Sequence, residues 1–377
     1  MIKRAAVLAA AAWGALLLAT ACTAYRPFDS VADVREKYAA SLGAARAAQL
    51  VVPFELPPEA FAEIDRHLKP AGSEERRADD VVDYIFGRIG LKYEQLPTRD
   101  AESTRLARRG NCLSFVNLFV ALARHVRLSP FYVEVTDYQR WTYRGGLVLS
   151  QGHVVAGMQV EGSLKTYDFL PYRPKGYRGF KPIDDVTAAA HFYNNLGAEA
   201  LMEGDVQRAR QLVETAVGIA PGFAKGLNNL GVLRMRQGDL AGAESAYKAG
   251  LATAPDDVAL LDNLAQLYLH EGRPADAQPL IDQLTTAKNS NPFFFVLRGE
   301  QALASGDTDG ALKLMVEALR RDSESPEVHL GLMKVYLAVG DLAKARHHLE
   351  RALRLDATNQ EARRYAEMLG QRGSGAQ

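Results

Sequence analysis

Two cysteines have the clearest chemical potential in this 377-residue chain, and they lie in different kinds of segment. Cys112 follows Gly110 and begins a stretch in which apolar residues recur at the spacing of one helix face. We therefore expect Cys112 at a helix N-terminus, where backbone amides and the helix dipole favour a negatively charged side chain. Free cysteines are more often small buried side chains than nucleophiles, so a nucleophilic role requires a base near the thiol.

A base for Cys112 is found by elimination among the eight histidines. Five of them lie in the C-terminal repeats described below, and His67 precedes the segment that contains the cysteine. His125 is thirteen residues further along the same predicted helix. At about 1.5 Å per residue, that separation is roughly 20 Å. His153, at the start of a strand-like run, is therefore the predicted base.

Asp168 is the predicted partner of the His153 imidazole. It lies fifteen residues after His153 in a second strand-like run, and we expect the two runs to form an antiparallel hairpin. Neighbouring strands are about 4.8 Å apart, so a carboxylate on the facing strand can orient the imidazole.

The segments around these three residues predict a mixed α+β domain. Helical periodicity covers Ser73 to Ile89, and a polar helix-like stretch from Asp100 to Arg109 ends just before the cysteine helix. Strand-like runs follow at Phe131 to Val135, His153 to Val160 and Leu164 to Phe169.

The order of a cysteine on a helix, a histidine on a strand and an aspartate on the next strand resembles the transglutaminase-like superfamily of papain-fold cysteine enzymes. The stretch from Arg109 to Arg124 is similar to the cysteine helix of that superfamily, and Gly152-His153-Val154 and Tyr167-Asp168 match its other two positions. The resemblance implies that Cys112 is the nucleophile, His153 the general base and then acid, and Asp168 the residue that orients His153.

The chemistry implied by this resemblance is attack of the thiolate on an amide carbonyl, giving a thioester acyl-enzyme. Water as the second reactant makes the enzyme a peptidase or amidase, whereas an amine makes it a transamidase. The sequence leaves these two outcomes open.

The C-terminal half predicts a helical repeat array, because glycines and alanines each recur every 34 residues. This period, with a glycine in the turn between two helices and a small residue in the second helix, is the tetratricopeptide signature. We expect five repeats followed by a capping helix that begins near Glu361. The array predicts a surface that holds a protein or peptide, although it also suits a role as a buttress for the preceding domain. The glycines are residues 204, 238, 272, 306 and 340, and the alanines are residues 209, 243, 277, 311 and 345.

The N-terminus predicts export. Lys3 and Arg4 precede an apolar core from Ala5 to Leu18, and the following Ala-Thr-Ala leads to Cys22, an order that resembles a lipobox. Cys22 is then the lipidated residue, and Thr23 after it suggests an outer-membrane lipoprotein that faces the periplasm. Plain secretion and a retained anchor helix are the alternatives. Modification of Cys22 leaves Cys112 without a partner for an intramolecular disulfide.

Composition excludes several functions. The 45 basic and 45 acidic residues balance, so we expect no nucleic-acid partner. The motifs GxxxxGKS/T and HExxH and paired CxxC are absent from the sequence, so no cofactor or metal is predicted. The competing function is a non-catalytic envelope adaptor or scaffold that binds partners through its repeats.

The predicted organisation combines an α+β papain-like, transglutaminase-like domain with an all-α tetratricopeptide-repeat solenoid. A short strand, Val51 to Leu56, and a helix, Pro57 to His67, are expected ahead of the α+β domain. The predicted segments are a lipoprotein signal peptide (1–21), an N-terminal extension of unassigned role (22–72), the cysteine enzyme domain (73–185), the repeats with their capping helix (186–371) and a tail (372–377).

Overall fold

The computed structural model describes residues 29–69, 71–144, 147–160, 162–170, 179–286 and 291–374. The predicted signal peptide and Cys22 lie outside these residues. Within them the chain is mostly helical, with one two-stranded and one four-stranded sheet.

The elements before the repeats are α1 (Val31–Leu42), α2 (Ala44–Ala47), α3 (Pro58–His67), α4 (Glu74–Asp83) with a π-helical turn (Tyr84–Ile89), β1 (Lys92–Tyr93), α5 (Ala101–Ala107), β2 (Arg109–Gly110), α6 (Cys112–His125), β3 (Phe131–Arg144), β4 (Leu147–Val160), β5 (Ser163–Tyr167) and β6 (Phe180–Ile183). The repeat helices are α7 (Asp185–Glu203), α8 (Val206–Ile219), α9 (Ala224–Arg236), α10 (Leu240–Thr253), α11 (Val258–His270), α12 (Pro274–Thr286), α13 (Pro292–Ala304), α14 (Thr308–Arg321), α15 (Pro326–Ala338), α16 (Leu342–Leu355) and α17 (Gln360–Ser374).

The four-stranded sheet has the order β5-β4-β3-β6. Strands β4 and β5 pair antiparallel, with Ala156 opposite Tyr167, so the predicted hairpin is present. Strand β3 pairs antiparallel with β6, and Tyr132 lies opposite Ile183. The strands that carry His153 and lead to Asp168 are therefore neighbours.

Helix α6 is the centre of the first hydrophobic core. Every side chain from Leu113 to Ala123 is buried, because the helix is covered by neighbouring elements on all sides. The sheet packs on it through Tyr167, whose ring stacks on Phe119 at a centroid distance of 4.7 Å. The Tyr132 hydroxyl donates a 3.0 Å hydrogen bond to Asn117 Oδ1. Burial of large aromatic side chains contributes about 1.5–3 kcal/mol each, so this contact fixes the cysteine helix against the sheet.

The segment from Val51 to Leu56, predicted as a strand, is not a strand in the structure. Pro53 and Pro57 lack the backbone N–H that a strand ladder requires. A hydroxyl from α7 takes the place of a neighbouring strand: Val51 N donates to Tyr193 Oη at 2.7 Å, and Tyr193 Oη donates to the Val51 carbonyl at 2.9 Å. The helix predicted after this segment is present as α3.

Two compact units divide the chain. One combines the described residues before Gln139 with Gly152–Gly226, and the other combines Gln139–Gln151 with the residues from Leu227 onward. The first unit therefore contains the first repeat, α7 and α8, together with the cysteine segment. The N-terminal segment also belongs to this core, since Val34, Tyr38 and Ile64 are fully buried in it.

In the repeats, the recurring glycines and alanines have the predicted positions. All five glycines have positive φ, between 71° and 87°, a conformation that strains residues with a Cβ. All five alanines are fully buried, which allows the helices of a repeat to approach each other closely. Gly231 lies against the Tyr247 ring, and a Cβ at this position would overlap the ring. The predicted capping helix is present as α17.

Candidate active site

His153 and Asp168 form the core of the candidate site. His153 Nε2 lies 2.9 Å from Asp168 Oδ1, and the two side chains are 2% and 20% exposed. Asp168 directly follows β5, and its Oδ1 also accepts a hydrogen bond of 3.0 Å from Leu170 N. The carboxylate is therefore held by a backbone amide while it contacts the imidazole.

The Cys112 side chain lies close enough to the His153 imidazole to raise its pKa. Burial lowers the pKa of His153, but hydrogen bonds to Asp168 and Cys112 and the charges of both raise the pKa to about 9. The structure thus brings the three sequence-predicted residues together, with an imidazole that favours its protonated form.

Cys112 occupies the first turn of α6, as the periodicity predicts, and is partly exposed. Asn111 caps this helix: its Oδ1 accepts hydrogen bonds from Ser114 N at 3.0 Å and Ser114 Oγ at 2.9 Å. Gly110 fits against Ser114, where an added Cβ would lie 2.6 Å from the serine Cβ. Ser114 is fully buried and its Oγ also accepts from Arg99 N at 2.8 Å, so it acts in helix initiation.

A carboxylate from the first repeat supports the start of α6. Asn111 Nδ2 donates to Thr98 Oγ1 at 2.8 Å, and Thr98 donates through N and Oγ1 to Glu199 Oε1 at 2.8 and 2.6 Å. Burial raises the pKa of Glu199, while the two hydrogen bonds from Thr98 lower it. Sequence reasoning missed this chain of contacts, and the only signal was a carboxylate placed between Ala198 and Ala200 of α7.

A second carboxylate of α7 supports the other end of α6. Arg124 binds Asp185 through two hydrogen bonds of 2.8 and 2.9 Å, and the aspartate side chain is only 1% exposed. The Asp29 amide donates to the same carboxylate at 2.8 Å. Burial raises the pKa of Asp185, and the Arg124 guanidinium lowers it. Helix α7 therefore holds both ends of the cysteine helix.

Lys225 contacts the residue that precedes His153. It forms an ion pair with Glu134 of β3, and both side chains are largely buried. Its ammonium group also packs on Gly152, the residue before His153, so closely that a Cβ there would overlap it. A side chain at position 152 would therefore require the Lys225 ammonium group to move.

Aromatic rings surround the first turn of α6. Phe115, one turn after Cys112, contacts Phe86 at 5.9 Å, Phe169 at 6.2 Å and Tyr93 at 6.3 Å between ring centroids. Phe169 directly follows Asp168. Phe86 is 42% exposed, so part of this cluster remains an apolar surface beside the start of α6.

The described residues contain neither a membrane-spanning helix nor a metal-binding group. No helix among them has the length and the apolar character needed to cross a membrane. Across the same described ranges, no group of three or more His, Cys, Asp or Glu side chains is arranged to hold a metal ion.

A family model described as a tetratricopeptide repeat matches residues 200–261, 234–292 and 302–371. The C-terminal part of the chain therefore consists of tetratricopeptide repeats, as the 34-residue spacing predicts. Repeats of this kind typically bind proteins or peptides on their extended surface. The model matches no residue before 200, so it lends no support to the transglutaminase-like resemblance of residues 73–185.

Several solved structures are similar to this chain. A thermophilic TPR protein of Thermus thermophilus is 21% identical, with a TM-score of 0.42 over 48% of this chain and 98% of that protein. PilF of Pseudomonas aeruginosa is 19% identical, with a TM-score of 0.41 over 51% of this chain and 89% of PilF. YrrB, a TPR protein with an unusual peptide-binding site, is 15% identical, with a TM-score of 0.31 over 46% of this chain and 90% of YrrB. No curated protein matches the chain.

Proposed function

We propose that this protein is a cysteine enzyme that cleaves or transfers an amide bond of a peptide or protein. The observation that carries the proposal is the buried His153 side chain, which contacts both Cys112 and Asp168. Cys112 is the nucleophile, His153 the general base and acid, and Asp168 the residue that orients the imidazole.

The reaction begins with attack of the Cys112 thiolate on the amide carbonyl carbon, which forms an S–C bond and moves an electron pair onto the carbonyl oxygen. The backbone N–H of Cys112, at the helix N-terminus, is suited to stabilise that oxyanion. The His153 imidazolium gives its proton to the leaving nitrogen as the C–N bond breaks. The products of this half-reaction are a free amine and a thioester at Cys112.

The second half-reaction uses His153 as a base. The neutral imidazole takes a proton from water or from an amine, which attacks the thioester carbonyl and expels the thiolate. Water gives a carboxylic acid and makes the enzyme a peptidase or amidase; an amine gives a new amide and makes it a transamidase. Proton transfer to the leaving amine requires the imidazolium, so we expect activity to decline as the pH rises through about 9, the pKa of His153.

The fold proposed for residues 73–185 is papain-like, of the transglutaminase-like type. Its support is the chain order of the three residues, with the cysteine at the start of α6, the histidine on β4 and the aspartate at the end of β5. The packing of α6 on the antiparallel sheet through Phe119 and Tyr167 is consistent with this assignment.

The proposed location is the cell envelope, with Cys22 lipidated at the outer membrane facing the periplasm. The proposal rests on the sequence from residue 1 to Thr23 alone. Intact-mass analysis of the protein isolated from the membrane fraction is expected to show loss of residues 1–21 and an acylated Cys22. A soluble protein that retains residues 1–21 would contradict it.

A second candidate function is a non-catalytic envelope adaptor, and the similarity comparisons favour it. The family model matches only the repeats. In this function the repeats bind a protein or peptide, and the cysteine domain contributes a binding surface.

Partner capture from envelope extracts separates the two functions. Tagged full-length protein is compared with its Cys112→Ala and His153→Ala variants, and retained proteins are quantified by mass spectrometry. An enzyme is expected to retain a substrate only in the inactive variants, because wild type converts and releases it. A partner retained equally by all three proteins, with no protein enriched in the variants, would favour the adaptor.

A further inference from the structure

A groove with a volume of about 670 Å³ lies beside the start of the cysteine helix. Its floor is the two-stranded parallel ribbon in which Lys92 of β1 lies opposite Arg109 of β2. Arg109 precedes Cys112 by three residues, so their Cα atoms are at most about 11 Å apart. The groove is therefore within reach of any extended peptide whose amide lies at the thiol.

The groove is strongly cationic. Four of its lining side chains are positive, Arg88, Lys92, Arg108 and Arg109, and all four are exposed. The lining contains one carboxylate, Glu94, which is already paired at 3.0 Å with Arg99, a residue outside the lining. Among the described residues, no carboxylate lies within ion-pair distance of the four cations. The charge of the groove is therefore uncompensated, although the whole chain is neutral.

Arg108 occupies a backbone conformation that favours glycine. It ends α5 in the left-handed region, with φ 54° and ψ 31°. A helix commonly ends with glycine in this conformation, because a Cβ there is strained. The chain thus keeps a cation at the groove in a position where a residue without a side chain would be less strained.

We propose that this groove binds a carboxylate-rich segment of the polypeptide on which Cys112 acts. An extended acidic peptide suits both the four cations and the ribbon floor, and the nearby Phe86 ring accepts an apolar residue of the same peptide. The role of this peptide as a substrate rests on the proposed amide chemistry. Its binding to the groove can be measured without any reaction.

The binding test uses the full-length protein with Cys22→Ser and Cys112→Ala, and fluorescein-labelled hexaglutamate as the probe. Anisotropy is measured at about 20 mM salt, where screening between charges is weak. Hexalysine and a neutral glycine-serine hexapeptide are the reference probes. We expect hexaglutamate to bind more tightly than either, and equal binding of all three would overturn the proposal.

A matched pair of charge reversals locates the binding. The double variant Lys92→Glu/Arg109→Glu is expected to weaken hexaglutamate binding at least about tenfold. The two new carboxylates repel the peptide, where the two cations of wild type attract it and fix its position in the groove. The control, Lys313→Glu with Arg364→Glu, makes the same charge change at exposed positions of α14 and α17 and is expected to stay within about twofold. Equal weakening by both pairs would show a net-charge effect and overturn the site.

Arg108→Gly separates binding from folding. Glycine relieves the left-handed backbone, so we expect the variant to be at least as stable to urea as wild type, yet to bind hexaglutamate more weakly. A variant with lower stability and unchanged binding would contradict the role of Arg108.

A second readout places the groove beside the thiol, using full-length protein with Cys22→Ser. Iodoacetate and iodoacetamide share one reaction with Cys112, and only iodoacetate carries a carboxylate. The ratio of the two rates is expected to fall severalfold in Lys92→Glu/Arg109→Glu and to remain unchanged in the control pair. Both reagents require the thiolate, so a failure of the proposed catalytic thiolate would slow both rates together and leave this ratio and the peptide binding intact.

Discussion

The two compact units are stabilised by different kinds of contact. In the repeats of the second unit, each turn and each close helix approach depends on a glycine or alanine that recurs every 34 residues. In the first unit, the cysteine helix is held at its two ends by Glu199 and Asp185, which lie 101 residues from Thr98 and 61 residues from Arg124 along the chain. The two ends of the cysteine helix are therefore held by long-range polar contacts, whereas the turns and close helix approaches of the repeats depend on recurring small residues.

The largest effect is expected from Arg124→Ala, which leaves the Asp185 carboxylate buried without its charged partner. Loss of one member of a buried ion pair costs about 3–5 kcal/mol in the free energy of unfolding, measured here by urea titration. Arg320→Ala is the control, because Arg320 forms an exposed pair with Glu317 within the repeats and exposed pairs contribute at most about 1 kcal/mol. Similar losses in the two variants would contradict the difference between the units.

Thr98→Val tests the contact at the other end of the cysteine helix. The variant removes the hydroxyl that donates to Glu199 and accepts from Asn111. The buried Glu199 carboxylate then lacks one hydrogen-bond donor, which lowers the free energy of unfolding by about 3 kcal/mol at neutral pH. Burial already raises the pKa of Glu199 above its unfolded value, so its charged form is the unfavourable one. The loss in the free energy of unfolding is therefore expected to be smallest at acidic pH, where the Glu199 carboxyl is protonated. It is expected to grow as the pH rises and this carboxyl ionises. Urea titrations at low and neutral pH measure this, and a loss that is the same at both would refute the role of the carboxylate.

Two glycines of one repeat sharpen the account of the second unit. Gly231→Ala places a methyl group in the Tyr247 ring, and overpacking of this kind costs about 2 kcal/mol. Gly238→Ala meets no atom within 4 Å, but its φ of 78° strains an L residue by about 1 kcal/mol. Urea titration is expected to rank Gly231→Ala as the more damaging, and the reverse order would show that turn strain dominates the repeat.

The repeats are predictable from sequence because their determinants are local and periodic. Gly204 and Ala209 indicate one helix pair, and the same two residue types 34 positions later indicate the next. For the candidate site, the predicted helix start at Cys112 matches α6, whereas His153 lies inside β4 and not at the start of a strand. The catalytic roles of these residues stay a prediction.

The supporting residues of the site could not be predicted in this way. Glu199 and Asp185 act through contacts between segments that are far apart in the chain, and neither has a spacing that relates it to Cys112. Residues Val51 to Leu56 were predicted as a strand, but the backbone partner of Val51 is the Tyr193 hydroxyl of α7, which only the tertiary structure provides. The groove beside Cys112 likewise depends on β1 and β2, which have two residues each and no periodic pattern.

The central claim is that His153 and Asp168 activate the Cys112 thiol. Its most direct test is the rate of iodoacetamide alkylation from pH 5 to pH 9 on full-length protein with Cys22→Ser, where Cys112 is the only thiol. An ordinary cysteine loses reactivity below about pH 8.5. We predict that alkylation in the otherwise unaltered protein persists well below neutral pH, and that His153→Ala and, to a smaller extent, Asp168→Asn restore the ordinary profile. An ordinary profile in all three proteins would contradict the catalytic site and leave the repeats as the functional part of the molecule.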